Sequence, residues 1–161
     1  MYGAGVQRDI NQYEVLVDGQ GRTMERLFNN TGSAIVAGDG MRVTWLKTAG
    51  KNGRAAVIAK TVAVGERQRL VIAQEAVADG AYGLFFKEGP GISLTVPSAT
   101  YTAGNGLLVD ASDAAIVDSG AQTTLSGATG LPHDFFAIET GGTTVTSVTG
   151  FLIARETVVR A

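Results

Sequence analysis

The chain has 161 residues, enough for one domain with a core of useful size. Apolar residues make up 45% and charged residues only 17%, with 22 glycines, which excludes a charge-rich helical bundle and suits a β-protein with many turns. The formal net charge is -2, there is no cysteine and there is one histidine, so disulfides, thiolate zinc sites, cysteine nucleophiles and multi-histidine sites are excluded, and nothing calls for nucleic acid or an acidic membrane surface.

The first thirty residues differ from the rest. "MYGAGVQRDINQYEVLVDGQGRTMERLFNN" is polar, with scattered large apolar residues. It lacks a basic region followed by an apolar stretch, so it is not read as a secretory signal, and the protein is expected to be made or assembled in the cytoplasm. Val15 and Val17 alternate with Glu14, Leu16 and Asp18, the pattern of a short strand. "RTMERLF" offers one or two helical turns with Thr23 as N-cap. Residues 1–30 are therefore read as an arm that orders against something else, ahead of a domain spanning 31–161.

From Ser33 onward the pattern is strand and turn. "SAIVAG" leads to an Asp39-Gly40 turn and to "MRVTWLK", in which Met41, Val43 and Trp45 alternate with Arg42, Thr44 and Leu46. "KNG" makes another turn, before "RAAVIAKTVAVG". "ERQRLVIAQEAVADG" has two readings. Leu70, Ala73 and Val77 have helical spacing, but the contiguous Leu70, Val71 and Ile72 suit a buried strand followed by a turn, and that reading is preferred.

"ADGAYGLFFKEGPG" reads as hairpin architecture, with a turn at Asp79-Gly80 and another at Glu88–Gly91. Its aromatics occupy both faces, Tyr82 and Phe86 on one and Phe85 on the other. One face is expected in the core and the other against a neighbouring subunit or surface. "GISLTV" is a strand stopped by Pro97, "YTAGNGLLVDASDAAIVDSG" is strand, turn and strand, and "FFAIETGGTTVTSVTGFLIA" carries a Gly141-Gly142 turn. Short strands at regular spacing give the expected fold: all-β, a small β-sandwich or barrel of short antiparallel strands with an extended N-terminal arm.

The motifs that could carry chemistry have simpler readings. "GAG", "GDG" and "GNG" meet neither the P-loop nor the dinucleotide pattern and are turn glycines. Asp110, Asp113 and Asp118 do not follow a calcium-loop pattern, and Asp and Ser favour turns in their own right. His133 and Asp134 lack a nucleophile elbow, so they are not read as part of a triad. "NNT" at Asn29 to Thr31 matches a glycosylation sequon, without meaning in the absence of secretion. No apolar run approaches the roughly 18 residues of a membrane span. The expectation is no catalytic residue, no metal and no cofactor. Charge is uneven: between Lys87 and Arg155 there is no Lys or Arg, while Glu88, Asp110, Asp113, Asp118, Asp134 and Glu139 lie in that interval.

Three units, "VIAQEAVADGAYGLFFKEGPGISLTV", "YTAGNGLLVDASDAAIVDSG" and "FFAIETGGTTVTSVTGFLIA", occur in this order between Val71 and Ala154. Their order and spacing resemble tailed-bacteriophage capsid decoration (cement) proteins. The N-terminal arm and the ending "RETVVRA" depart from that pattern. The resemblance implies a virion protein on the outer surface of the capsid, stabilising the head. It implies as partners the major capsid protein and further copies of the chain, a trimer in preference to a dimer, with no nucleic acid and no membrane. The contact residues expected on this reading are Tyr2, Val6, Arg8, Ile10, Tyr13 and Phe28 of the arm, with Tyr82 and Phe85, since aromatics and Arg anchor interfaces. The other reading is a tail or fibre module, or a carbohydrate-binding β module, that recognises a host surface. Trp45, the one tryptophan, alternates with Arg42 and Thr44 as a core residue would, which lowers that reading.

Overall fold

The computed structural model describes residues 15–46, 54–58, 67–109, 116–118, 135–139, 141–153 and 157–158. The chain is all-β, and the described residues contain no helix. Its strands are β1 (Val15–Val17), β2 (Thr23–Asn29), β3 (Gly40–Leu46), β4 (Arg54–Ile58), β5 (Arg67–Gln68), β6 (Leu70–Ala73), β7 (Tyr82–Tyr101), β8 (Gly106–Val109), β9 (Ile116–Asp118), β10 (Phe135–Ala137), β11 (Gly141–Leu152) and β12 (Thr157–Val158). Ten of them join in the order β1-β2-β4-β3-β6-β7-β11-β10-β8-β9, and a further β2–β7 pairing closes a cycle through β2, β4, β3, β6 and β7. All described pairings are antiparallel except β2 with β4.

The segment from Val15 to Asn29, expected in the arm, is part of this sheet. Val15↔Glu25, Leu16↔Met24 and Val17↔Thr23 pair as a hairpin. Its loop is built by "DGQGR". Asp18 Oδ1 accepts the N–H groups of Gln20 and Arg22 at 2.9 and 3.0 Å, and Arg22 Nε lies 2.6 Å from Asp18 Oδ2. These contacts, the Arg22 N–H first, hold the Asp18 carboxyl below its ordinary value. Gly21 completes the loop at φ 75°.

The helical turns expected over "RTMERLF" are not formed; these residues are β2. A short helical propensity yields to tertiary pairing, because β7 binds one edge of β2 while β1 and β4 share the other. Pairing also sorts its side chains: Met24 packs on one cluster and Leu27 is buried in another.

Those two clusters lie on opposite faces of β6 and β7. Leu70, Ile72 and Phe86 join Ile92, Leu94, Tyr101, Phe135, Val148 and Leu152 on one side. Val71, Ala73 and Phe85 join Leu27, Ile35, Met41 and Val77 on the other. Every residue of β6 is buried, which is why "LVIA" is contiguous rather than alternating. The preferred strand reading of this stretch holds, as does the turn at Asp79-Gly80, where Gly80 has φ 72°.

The expected exit turn at Glu88–Gly91 is a bend inside β7. Gly89 and Gly91 have φ 128° and 64°, and the strand continues for 20 residues in all. Before the bend β7 pairs with β2 and β6; after it β7 pairs with β11. A single strand thus serves both halves of the fold, with the bend supplied by glycine. Nor does the strand stop at Pro97. The β7–β11 register shifts between Val145↔Ala99 and Ser147↔Thr95, the interval that holds Pro97 and its missing donor.

Two further turns move. The one before β3 spans Val36–Asp39, with Asp39 N–H donating to Val36 O at 3.2 Å, and Gly40 already lies in β3. Gly38 stitches this turn to both β6 and β7: its N–H reaches Ala73 O and its carbonyl accepts Thr95 N–H, each at 2.8 Å. Gly141 and Gly142 begin β11 instead of turning the chain, since Gly141 already pairs with Tyr101.

Asn29 ends β2 with no exposed surface. Its Nδ2 donates toward the carbonyls of Ser33, Val77 and Ala78 at 2.8, 3.1 and 3.2 Å. Its Oδ1 accepts from Thr31 N–H and Thr31 Oγ1–H at 3.0 and 2.8 Å. The sequon asparagine is therefore a structural tie between two loops, with its amide sealed from solvent.

Candidate interaction surface

Of the residues expected at an interface, Tyr2, Val6, Arg8, Ile10 and Tyr13 lie outside the described residues. Phe85 has no exposed surface and sits among Leu27, Val71 and Val77. It is a core residue, and the expectation that it contacts a partner is corrected. The same holds for Phe28, 8% exposed, whose ring meets Tyr82 edge-on at 5.3 Å. Phe85 and Phe86, on the two faces of β7, are thus both buried, one in each cluster.

Tyr82 is half-buried, at the margin of that packing. Phe28 pairs with Tyr82 and Arg26 with Leu84 across β2 and β7, so these four side chains share one face. The Arg26 guanidinium lies 5.7 Å from the Tyr82 ring centroid. Among the described residues Arg26 has no carboxylate partner. Farther along the strand, Arg22 lies 4.9 Å from the Phe86 ring but is committed to Asp18. On the opposite face of β2, Glu25 pairs with Arg69, tying β2 to the segment before β6.

Among the described residues the exposed large apolar side chains are elsewhere. Val15 and Val17 stand on β1, Val36 on the turn before β3, and Ile138 and Phe151 on the β10–β11 pair. The last two follow from alternation. Phe135, Ala137, Gly150 and Leu152 face the core, so Phe136, Ile138 and Phe151 face outward. Sequence reading missed them because "FFAI" and "GFLI" are apolar at every position, which conceals the face. Arg26 was missed because a helical turn would have placed it differently.

Asp118 lies on β9, while Asp110 and Asp113, like His133 and Asp134, lie outside the described residues. Among the described residues no group of three or more His, Cys, Asp or Glu side chains is placed to hold a metal ion. No helix of the described residues is long and apolar enough to cross a membrane. Among the described residues, Ile138 and Phe151 leave an exposed apolar stretch along the β10–β11 pair. Comparison with family models, with curated proteins and with solved structures found no match for this chain.

Proposed function

We propose that this chain is a structural protein of a phage virion that binds the outer surface of the capsid and stabilises the head. The observation that carries the reading is the ordered resemblance over Val71 to Ala154. Those three units fall on β6–β7, on β8–β9 and on β10–β11, neighbours in one continuous sheet. On this reading the cycle of five strands is a small barrel, and β8–β11 form a sheet laid against it around the larger cluster.

The physical logic suits such a role. A cement repeated over a lattice works through many weak contacts whose avidity comes from symmetry. It needs a rigid body, and β7, shared by both halves, supplies one. The partners are the major capsid protein and further copies of the chain, a trimer in preference to a dimer. The arm contributes lattice contacts through Tyr2, Val6, Arg8, Ile10 and Tyr13, by adding to a neighbour's sheet edge or by seating aromatic anchors.

The test is binding to expanded heads that lack the native protein. The full chain should coat them, and deletion of residues 2–14, which spares the β1–β2 hairpin, should weaken binding about tenfold or more. Unchanged occupancy after the deletion would remove the arm from the mechanism. Failure of the full chain to bind would remove the capsid reading itself, in favour of a tail, fibre or carbohydrate-binding module.

A further inference from the structure

The chain contains one structural unit twice. The first unit is β2, β3, β4, β6 and the part of β7 before its bend; the second is the rest of β7, β8, β9, β10 and β11. Their strands pair in the same order, β2-β7-β6-β3-β4 and β7-β11-β10-β8-β9. In the first β4 returns to β2, and in the second β9 comes alongside β7. The register matches residue by residue: Gly40↔Ile72↔Phe86 in one is Gly106↔Phe136↔Phe151 in the other. So do the turns, "AGDG" at 37–40 and "AGNG" at 103–106. Gly38 and Gly104, at φ 89° and 84°, donate to Ala73 O and Ala137 O, each at 2.8 Å. Glu75 and Glu139 accept the N–H groups of Leu84 and Thr149, each at 3.1 Å. Val71 and Phe85 of the first unit correspond to Phe135 and Gly150 of the second, so the large ring changes strand and the core is filled either way.

One face of the first unit is covered by the second. Ile72 and Phe86 point away from the first unit's own cluster and are buried with Ile92, Leu94 and Leu152. Their counterparts are Phe136 and Phe151, and the described residues hold no third unit to cover them. Phe151 is 43% exposed, and Ile138, the next outward position on β10, is 55% exposed. The receiving end has a counterpart as well. Ile92, the first core residue after the bend, corresponds to Glu25, since Ile92 pairs with Gly150 as Glu25 pairs with Phe85. At that end of the first unit lies β1, with Val15 opposite Glu25 and Val17 opposite Thr23, 55% and 69% exposed. Four of the five exposed large apolar side chains of the described residues thus stand at the two ends of the internal repeat. Stacked repeats bury such faces on their neighbours, and grouped apolar side chains mark a surface that is covered in use.

We infer that two copies of this chain associate head-to-tail by repeating the contact between its units: the Ile138–Phe151 face of one docks on the β1 end of the next. Two different patches make a heterologous contact, which closes into a ring where the rotation allows. This gives surfaces to the self-association proposed above and rests on that part of the reading. It is tested on the purified full-length chain, away from any capsid, by sedimentation velocity over a range of concentrations. The chain should self-associate, and Phe151→Glu and Val17→Glu should each weaken that association about tenfold or more. Val36→Lys, at an exposed apolar position outside both ends, should associate as the parent does, and circular dichroism checks that each variant stays folded. The deciding step is to mix Phe151→Glu with Val17→Glu. Each retains one intact end, so the mixture should form a 1:1 dimer and go no further. A chain that stays monomeric, end variants that associate as well as the parent, a Val36→Lys chain weakened as much as they are, or a folded pair that does not combine would overturn the inference. Binding to heads is measured separately, so a chain that coats heads as a monomer would refute the docking ends and leave the capsid reading standing.

Discussion

Gly150→Ala should destabilise the fold by about 3 kcal/mol or more, at the upper end of what overpacking a core produces. Gly150 faces inward on β11, opposite Ala137. A methyl group there would overlap the ring of Phe135, which has no exposed surface, and the carbonyl oxygen of Phe136. The ring cannot retreat, because it is enclosed by the larger cluster, and the carbonyl belongs to the strand that pairs with β11. Relief therefore requires β10 and β11 to part. The check is the denaturation midpoint in urea, read beside Gly32→Ala. Gly32 has φ 83° but nothing within 4 Å of an added methyl, so that variant carries only backbone strain of about 1 kcal/mol. Phe135→Leu should recover part of the loss in the Gly150→Ala background, since the two sites share one space. Equal midpoints for the two glycine variants would show that β10 and β11 are not packed in this register.

Asn29→Ala should cost about 3 kcal/mol, by a different route. Its side chain makes contacts to Ser33, Val77, Ala78 and Thr31, all from a position with no exposed surface. Alanine removes the donor and leaves those carbonyls with fewer partners, and the desolvation of buried polar groups exceeds the mean worth of a hydrogen bond. The neighbouring Asn30 is exposed, so Asn30→Ala should change stability by less than about 0.5 kcal/mol. Urea unfolding of the two variants side by side makes the comparison. The loops at 30–34 and 77–81, which Asn29 joins, should also lose amide-exchange protection first in Asn29→Ala.

The all-β class was legible from glycine content, low charge and period-two alternation. In β3, Met41 and Val43 turn to the core cluster as the alternation requires, while Arg42 between them is buried as well. The contiguity of "LVIA" correctly marked a strand buried on both faces. What was not legible came from pairing at a distance. β2 carries a helical local signal in "TMERLF" and becomes a strand because β7 and β1 claim its edges. "KEGPG" has the composition of a reversal, yet the chain runs on, since β11 pairs with it beyond the bend. The same cause hid the surface. Phe28 and Phe85 have the composition of interface anchors, but the pairing of β2 with β7 buries them. Ile138 and Phe151 sit in uniformly apolar runs, and only the register of β10 with β11 shows that they face outward.

The central proposal, a protein of the outer capsid surface, is tested most directly by a cryo-EM map of the parent particle. The account predicts regular density for this chain over the outside of the head shell, in many copies placed by the capsid symmetry. Density confined to the tail tip, or a head shell without it, would contradict the account and favour a module that recognises the host surface.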